Sequence, residues 1–166
     1  MRPTADRVRE AIFNILGDRT EGVNVLDLFA GTGALGLEAL SRGASSAVLV
    51  ESHPPTFAVM RRNVEELGAR EAELLSVDCR VALRVLRMRG SSFGLVFLDP
   101  PYGKGIAVRS AGEIARAGIL DPGGTVVVEE SSRAGESLFP SAWERTEDRR
   151  YGDTRVTIFT VGKEPG

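Results

Sequence analysis

The chain has 166 residues, a formal net charge of −2 and a sequence pI near 5.6. That length suits one domain, spanning 1–166, that buries about 70% of its unfolded surface, and the charge excludes a global field drawing the chain onto nucleic acid. The lone Cys79 excludes an internal disulfide and suits a reducing cytoplasm; with His53 the single histidine, no metal site is expected.

Val8, Ala11, Ile12, Ile15 and Leu16 recur at helical spacing behind Thr4 as N-cap, which predicts a helix within residues 1–18 packed beside the ligand crevice. Its charges at Arg2, Asp6, Arg7, Arg9 and Glu10 do not read as a signal peptide, and no later apolar run has the length of a membrane span. Val23, Val25, Leu26 and Leu28 predict the first strand, and Ala34 to Leu40 the helix after it. The turn between them, Asp27-Leu28-Phe29-Ala30-Gly31-Thr32-Gly33-Ala34-Leu35-Gly36, carries glycines that let the backbone turn tightly and approach a ligand. Gly31, Gly33 and Gly36 match the dinucleotide fingerprint, a weak signal on its own. Asp27 discriminates: a pyrophosphate has no use for a carboxylate, whereas an ammonium or sulfonium, as in S-adenosylmethionine, does.

Ala47 to Val50 predict a second strand ending in Glu51, placed to accept both hydroxyls of a ribose. His53, Pro54 and Pro55 shape the start of the next helix, whose face carries Phe57, Met60, Val64 and Leu67 before Gly68 as C-cap. Leu74 to Val77 predict a third strand ending in Asp78-Cys79, where a carboxylate can accept an adenine amine; Leu83 and Leu86 mark a short helix. Leu95 to Leu98 predict a fourth, ending in Asp99-Pro100-Pro101-Tyr102. The two prolines force the chain out of the sheet at a set angle. Asp99 and the Pro100 carbonyl are then acceptors beside the flat face of Tyr102, an arrangement suited to a nucleobase bearing an exocyclic amine. Four strands thus end in acidic residues on the edge where open parallel sheets bind ligands.

After Tyr102, Gly103, Lys104 and Gly105 predict a mobile loop able to close over a base, with Lys104 meeting a phosphate. Asp121-Pro122-Gly123-Gly124 predict a turn before the strand Thr125 to Val128, which ends in Glu129-Glu130. Trp143 to Arg149 and Arg155 to Val161 predict a hairpin turning at Tyr151 to Thr154. Residues 162–166 read as a frayed tail. The alternation implies an α/β fold, a doubly wound and mostly parallel sheet with an antiparallel C-terminal hairpin. Three arginine clusters, at 61–62, at 80, 84, 87 and 89, and at 145, 149 and 150, would meet phosphates if they flank the same mouth as Tyr102.

The order of glycine turn, Glu51, Asp78 and Asp-Pro-Pro-Tyr resembles the class I S-adenosylmethionine-dependent amino-methyltransferases. Residues Arg2 to Leu16 and Asp27 to Ala44 are similar to the RsmD family, bacterial small-subunit ribosomal RNA guanine-N2 methyltransferases. The resemblance implies a Rossmann-like seven-stranded domain that binds S-adenosyl-L-methionine, acts in the cytoplasm on ribosomal RNA or the assembled small subunit, and works as a monomer without a metal. It implies Asp99, Pro100, Pro101 and Tyr102 as catalytic residues, and Asp27, Phe29, Gly31, Thr32, Gly33, Glu51, Ser52, Asp78 and Cys79 as cofactor-binding residues. Family members carry a short basic segment ahead of Arg2-Pro3-Thr4. For these 166 residues the expectation is weak binding to naked RNA with a shallow salt slope. Two rivals stay open: amino-methylation of DNA adenine or cytosine, and a dinucleotide-type binding module without methyl chemistry.

Overall fold

The computed structural model describes residues 3–103, 105–134 and 138–162; Lys104 and the tail from 163 onward lie outside them. The strands β1 (Asn24–Asp27), β2 (Ser46–Val50), β3 (Ala72–Leu75), β4 (Phe93–Leu98), β5 (Leu120–Ser131), β6 (Trp143–Tyr151) and β7 (Thr154–Val161) form one sheet in the order β3-β2-β1-β4-β5-β7-β6. The first five are parallel, and β7 runs antiparallel between β5 and β6. The helices are α1 (Pro3–Leu16), α2 (Ala34–Ser41), α3 (Pro54–Leu67), α4 (Cys79–Met88) and α5 (Ile106–Ala117). Strand order reverses between β1 and β4, so a crevice opens at the strands' C-terminal ends beside both.

The central strands are apolar on both faces because helices cover both. Leu26, Leu28, Val48, Val50, Val96, Leu98, Val126 and Val128 pack towards α4 and α5. Val25, Ala47, Leu49, Leu95, Phe97 and Val127 pack on the other side against residues of α1 and α3. Successive side chains of a strand point to opposite faces, so burial on both gives an unbroken apolar run instead of alternation. α1 seats Val8, Ile12, Phe13 and Leu16 in this second layer, with the Phe13 ring 5.7 Å from that of Phe97. Its C-terminus passes into a 3-10 turn, Gly17–Thr20, whose Arg19 donates to the carbonyls of Ile15 and Leu16 at 3.0 and 3.3 Å. Those carbonyls have no partner inside the helix.

Four local expectations are corrected. Helix α1 starts at Pro3, so Thr4 lies in its first turn instead of capping it. Leu67 is exposed, because α3 ends there and Gly68, at φ 61°, turns the chain away. The third strand is Ala72–Leu75, two residues earlier than its apolar run; Leu75 pairs with Val50, and the chain then leaves the ladder. Finally, Asp121 to Gly124 do not precede β5 but bulge within it: Phe93 pairs with Leu120 and Leu95 with Thr125. A Cβ on Gly124 would lie 2.9 Å from the Asp121 carbonyl oxygen, so only glycine closes this bulge. The terminal hairpin turns at Gly152-Asp153, between the paired Tyr151 and Thr154, as its sequence predicts.

Candidate active site

The glycine turn is held by backbone contacts to neighbouring strands. The Ala30 N–H donates to the Val50 carbonyl at 2.8 Å, and Gly33 N–H to that of Ala30 at 2.8 Å. Gly31 and Gly33 adopt φ of 59° and 89°, the left-handed region that disfavours side chains. Gly36 serves a different need: a Cβ there would run into the Leu49 side chain, so glycine lets α2 sit close on the sheet. The Gly36 N–H donates to Asp27 Oδ2 at 3.2 Å, which ties the end of β1 to the start of α2. Asp27 is buried, and its Oδ1 has no hydrogen-bond partner among the described residues. Burial first, then the charge of Asp99, push its carboxyl up to about 7, against the Gly36 hydrogen bond.

Glu51 follows β2 and braces the turn across the crevice. Its Oε1 accepts from Gly31 N–H at 3.0 Å and its Oε2 from His53 N–H at 2.8 Å. His53 is the N-cap position of α3, with Pro54 and Pro55 in the first turn, where their missing N–H groups cost nothing. The Thr32 carbonyl accepts from Asn63 Nδ2 of α3 at 3.0 Å, fixing the far side of the turn.

At the end of β4, Asp99, Pro100, Pro101 and Tyr102 face these groups. One cleft of about 740 Å³ is lined by Phe29, Gly31, Thr32, Glu51, Ser52, Asp99, Pro100, Pro101 and Tyr102, and α1 contributes Ala5, Val8 and Arg9 to it. Asp27 does not line the cleft; it is buried, held to the Gly36 N–H. Tyr102 is 53% exposed, and its hydroxyl pairs with Thr154 Oγ1 at 3.1 Å, which pins the ring. A second hollow of about 940 Å³ shares Pro100, Pro101 and Tyr102 and adds Arg109 and Arg133.

Asp78 and Cys79 do not line the cleft. Asp78 N-caps α4, its Oδ1 accepting from Arg80 N–H at 2.8 Å, and Cys79 is half-buried with its thiol pushed up by burial. The three arginine clusters are also absent from both hollows. Arg80, Arg84 and Arg87 line a separate groove, and Arg80, Arg89, Arg145 and Arg149 pair with Glu113, Glu73, Asp148 and Glu147. Among the described residues, the arginines that line these hollows are Arg9, Arg109 and Arg133, which sequence reasoning does not single out for the site. It also leaves Glu129 outside the site, although Glu129 follows the apolar run Val126 to Val128 as the other acidic residues follow theirs. Glu129 lines the cleft beside Asp99, and their side chains are hydrogen-bonded.

The family described as conserved hypothetical protein 95 matches residues 1–160. Ribosomal RNA small subunit methyltransferase D of Escherichia coli K12 is 32% identical over 159 residues, 96% of this chain and 79% of that protein. The chain belongs to the RsmD family. Among solved structures, the Escherichia coli protein yhhF superposes with a TM-score of 0.89 at 30% identity, covering 99% of this chain and 89% of that one. SMU.776, solved in complex with SAH, shares the fold alone: TM-score 0.72 at 15% identity, over 97% of this chain and 50% of that chain. The strand order, with its antiparallel C-terminal pair, is therefore that of an α/β methyltransferase within the RsmD family.

Proposed function

We propose that this methyltransferase takes the methyl group of S-adenosylmethionine and places it on the exocyclic N2 amine of a guanine in small-subunit ribosomal RNA, as a cytoplasmic monomer. One observation carries the reading above all: Pro100, Pro101 and Tyr102 line two hollows at once, one beside Asp99, the glycine turn and Glu51, the other beside Arg109 and Arg133. A donor on one side and a nucleotide on the other would meet there. The relative's name supplies the RNA; the residues supply the amine.

The cleft fits the cofactor. When bound, S-adenosylmethionine supplies an electrophilic methyl on a sulfonium. Glu51 already accepts two N–H groups, yet a carboxylate offers about four acceptor positions, leaving capacity for ribose hydroxyls. Phe29, Gly31, Thr32 and Ser52 shape the floor and rim, Gly33 makes the turn behind them, and the negative potential of Asp27, Asp99 and Glu51 suits a cationic ligand. In this reading Asp78, whose Oδ1 caps α4, would hold the adenine amine from beside Cys79, outside the cleft lining.

The rest is done by the chain's own groups. A nucleobase amine is a weak nucleophile because its lone pair is delocalised into the ring. Asp99 and the Pro100 carbonyl, accepting its two N–H groups, turn that pair outward and stabilise the positive charge that develops on nitrogen. Tyr102, held by Thr154, stacks on a base turned out of its helix or loop. Arg109 and Arg133 stand where phosphates of the same strand would pass.

Labelled methyl transfer to undermethylated small subunits, naked ribosomal RNA and DNA tests the whole. Label on ribosomal guanine N2 supports the proposal, and label on DNA amines alone would overturn it.

Two substitutions test its parts. Glu51→Gln keeps size but removes the charge, and a hydrogen bond to a charged group contributes roughly 1.5–3 kcal/mol. Affinity for S-adenosylhomocysteine should fall at least about tenfold in titration calorimetry, with the fold intact by circular dichroism. Unchanged affinity would remove Glu51 from the cofactor site. Tyr102→Ala should instead spare cofactor binding and weaken capture of RNA by roughly 1–3 kcal/mol, the range for one stacked base. Its signature is a raised KM for RNA, and an unaltered KM would show that the exposed ring does not stack.

A further inference from the structure

Beside Asp99 the fold places a second carboxyl that the amine clamp does not use. β4 and β5 run parallel with Leu98 opposite Val128, so Asp99 and Glu129 are the next residues on adjacent strands. Both line the cleft, and their side chains are hydrogen-bonded to each other. A hydrogen bond between two carboxyls requires a proton on one of them. Glu129 is also locked by its backbone, because β5 continues past it and pairs it with Val156 of β7.

The groups facing this pair are mostly acidic. Asp27 stands at the end of β1, Glu51 after β2, Tyr102 beyond β4, and Asp153 and Thr154 at the turn into β7; Arg9 reaches the cleft from α1. Burial pushes both carboxyls above the usual range. Glu129 rises further, since the charge of Asp99 and its own donation to Asp99 add to burial, whereas that hydrogen bond holds Asp99 lower.

We infer that Glu129, carrying a proton, is a positioning residue for methyl transfer: it donates to one oxygen of Asp99 and so aims the other at the target amine. The inference rests on the amine clamp proposed above. A carboxylate that rotates freely is a poor clamp, because misplacement of about 1 Å can cost a hundredfold in rate. Glu129 removes that freedom, and it confines the pair to a single negative charge at neutral pH. Above the pH at which Glu129 ionises, donation ceases, the two carboxylates repel, and Asp99 loses its orientation.

The test combines spectroscopy with kinetics on the full chain. Infrared difference spectra between wild type and E129Q at pH 7 should show an excess of protonated carboxyl in wild type, beyond the Asp27 band common to both, that disappears at alkaline pH. With undermethylated small subunits, kcat of the wild type should fall on the alkaline side. E129Q should lack that fall, because an amide donates at every pH. E129A, which cannot donate, should lose about tenfold or more in kcat, the equivalent of one net hydrogen bond, with KM for RNA and affinity for S-adenosylhomocysteine unchanged. Recovery of kcat in E129Q but not E129A separates positioning from a general structural role. Identical carboxyl spectra for wild type and E129Q, or an alkaline fall retained in E129Q, would overturn the inference. A wild type inert on ribosomal RNA overturns the substrate reading instead, and the infrared arm still decides the shared proton.

Discussion

Asp99→Ala is expected to lower kcat by about two to three orders of magnitude, the range for removing one preorganised charge-stabilising group from an active site, while S-adenosylhomocysteine still binds. The amine gains positive charge only as the new bond to nitrogen forms, so a carboxylate beside it acts more strongly on the transition state than on the bound substrate. An interaction of that kind appears in kcat and leaves KM nearly unchanged. The fold should survive. Phe97 and Leu98, immediately before Asp99, are wholly buried and anchor β4, and the side chain of Asp99 faces the cleft. Removing its charge also relieves Asp27 and Glu129, both pushed up by it. Thermal stability at neutral pH should therefore hold or rise as activity is lost. The measurements are kcat and KM on undermethylated subunits, calorimetry with S-adenosylhomocysteine, and a thermal melt. Loss of cofactor affinity in step with kcat would mean that Asp99-Pro100-Pro101-Tyr102 is a structural turn and not an amine clamp.

The sheet is legible in the sequence because its signal is local. Val25-Leu26, Ala47 to Val50 and Leu95 to Leu98 are apolar without alternation, which marks strands covered on both faces, and each ends in an acidic residue. What is not legible depends on partners distant in sequence. Asp121-Pro122-Gly123-Gly124 has the composition of a turn; that it bulges within a strand is decided by Phe93 and Leu95 across the ladder. The edge strand Ala72–Leu75 carries the exposed Glu73 and is fixed by its register with β2, not by its own pattern. Similarly, Asp78 reads as one more acidic strand end, but β3 stops three residues earlier and its carboxylate caps a helix. Glu129 obeys the same rule as Asp99, yet a second acidic residue, Glu130, stands next to it and blurs the signal. Arg109 and Arg133 sit singly in helix or loop, and Arg9 stands among the mixed charges Asp6, Arg7 and Glu10, so no basic cluster advertises them.

Asp27→Asn is expected to change the pH dependence of stability strongly. Asp27 titrates near 3.8 in an unfolded chain and near 7 in the fold, raised by burial and by Asp99. Between those values the folded protein keeps a proton that the unfolded chain has released. Stability therefore falls as pH rises from about 4 to about 7, and the whole contribution is lost above that window. Each pH unit of that window costs about 1.4 kcal/mol, so the fall attributable to Asp27 is on the order of 4 kcal/mol. Asparagine cannot ionise, and its amide oxygen can still accept from the Gly36 N–H. Its amide N–H groups take the place of Oδ1, which has no partner among the described residues, and an unpaired buried group costs roughly 1–3 kcal/mol. The variant should accordingly be less stable than wild type at pH 4 and gain on it with each step upward, overtaking it near neutrality. Urea unfolding at a series of pH values between 4 and 8 measures this directly. A stability difference that stays constant across that range would show that Asp27 titrates alike folded and unfolded. The negative potential assigned to it would then already be present in acid.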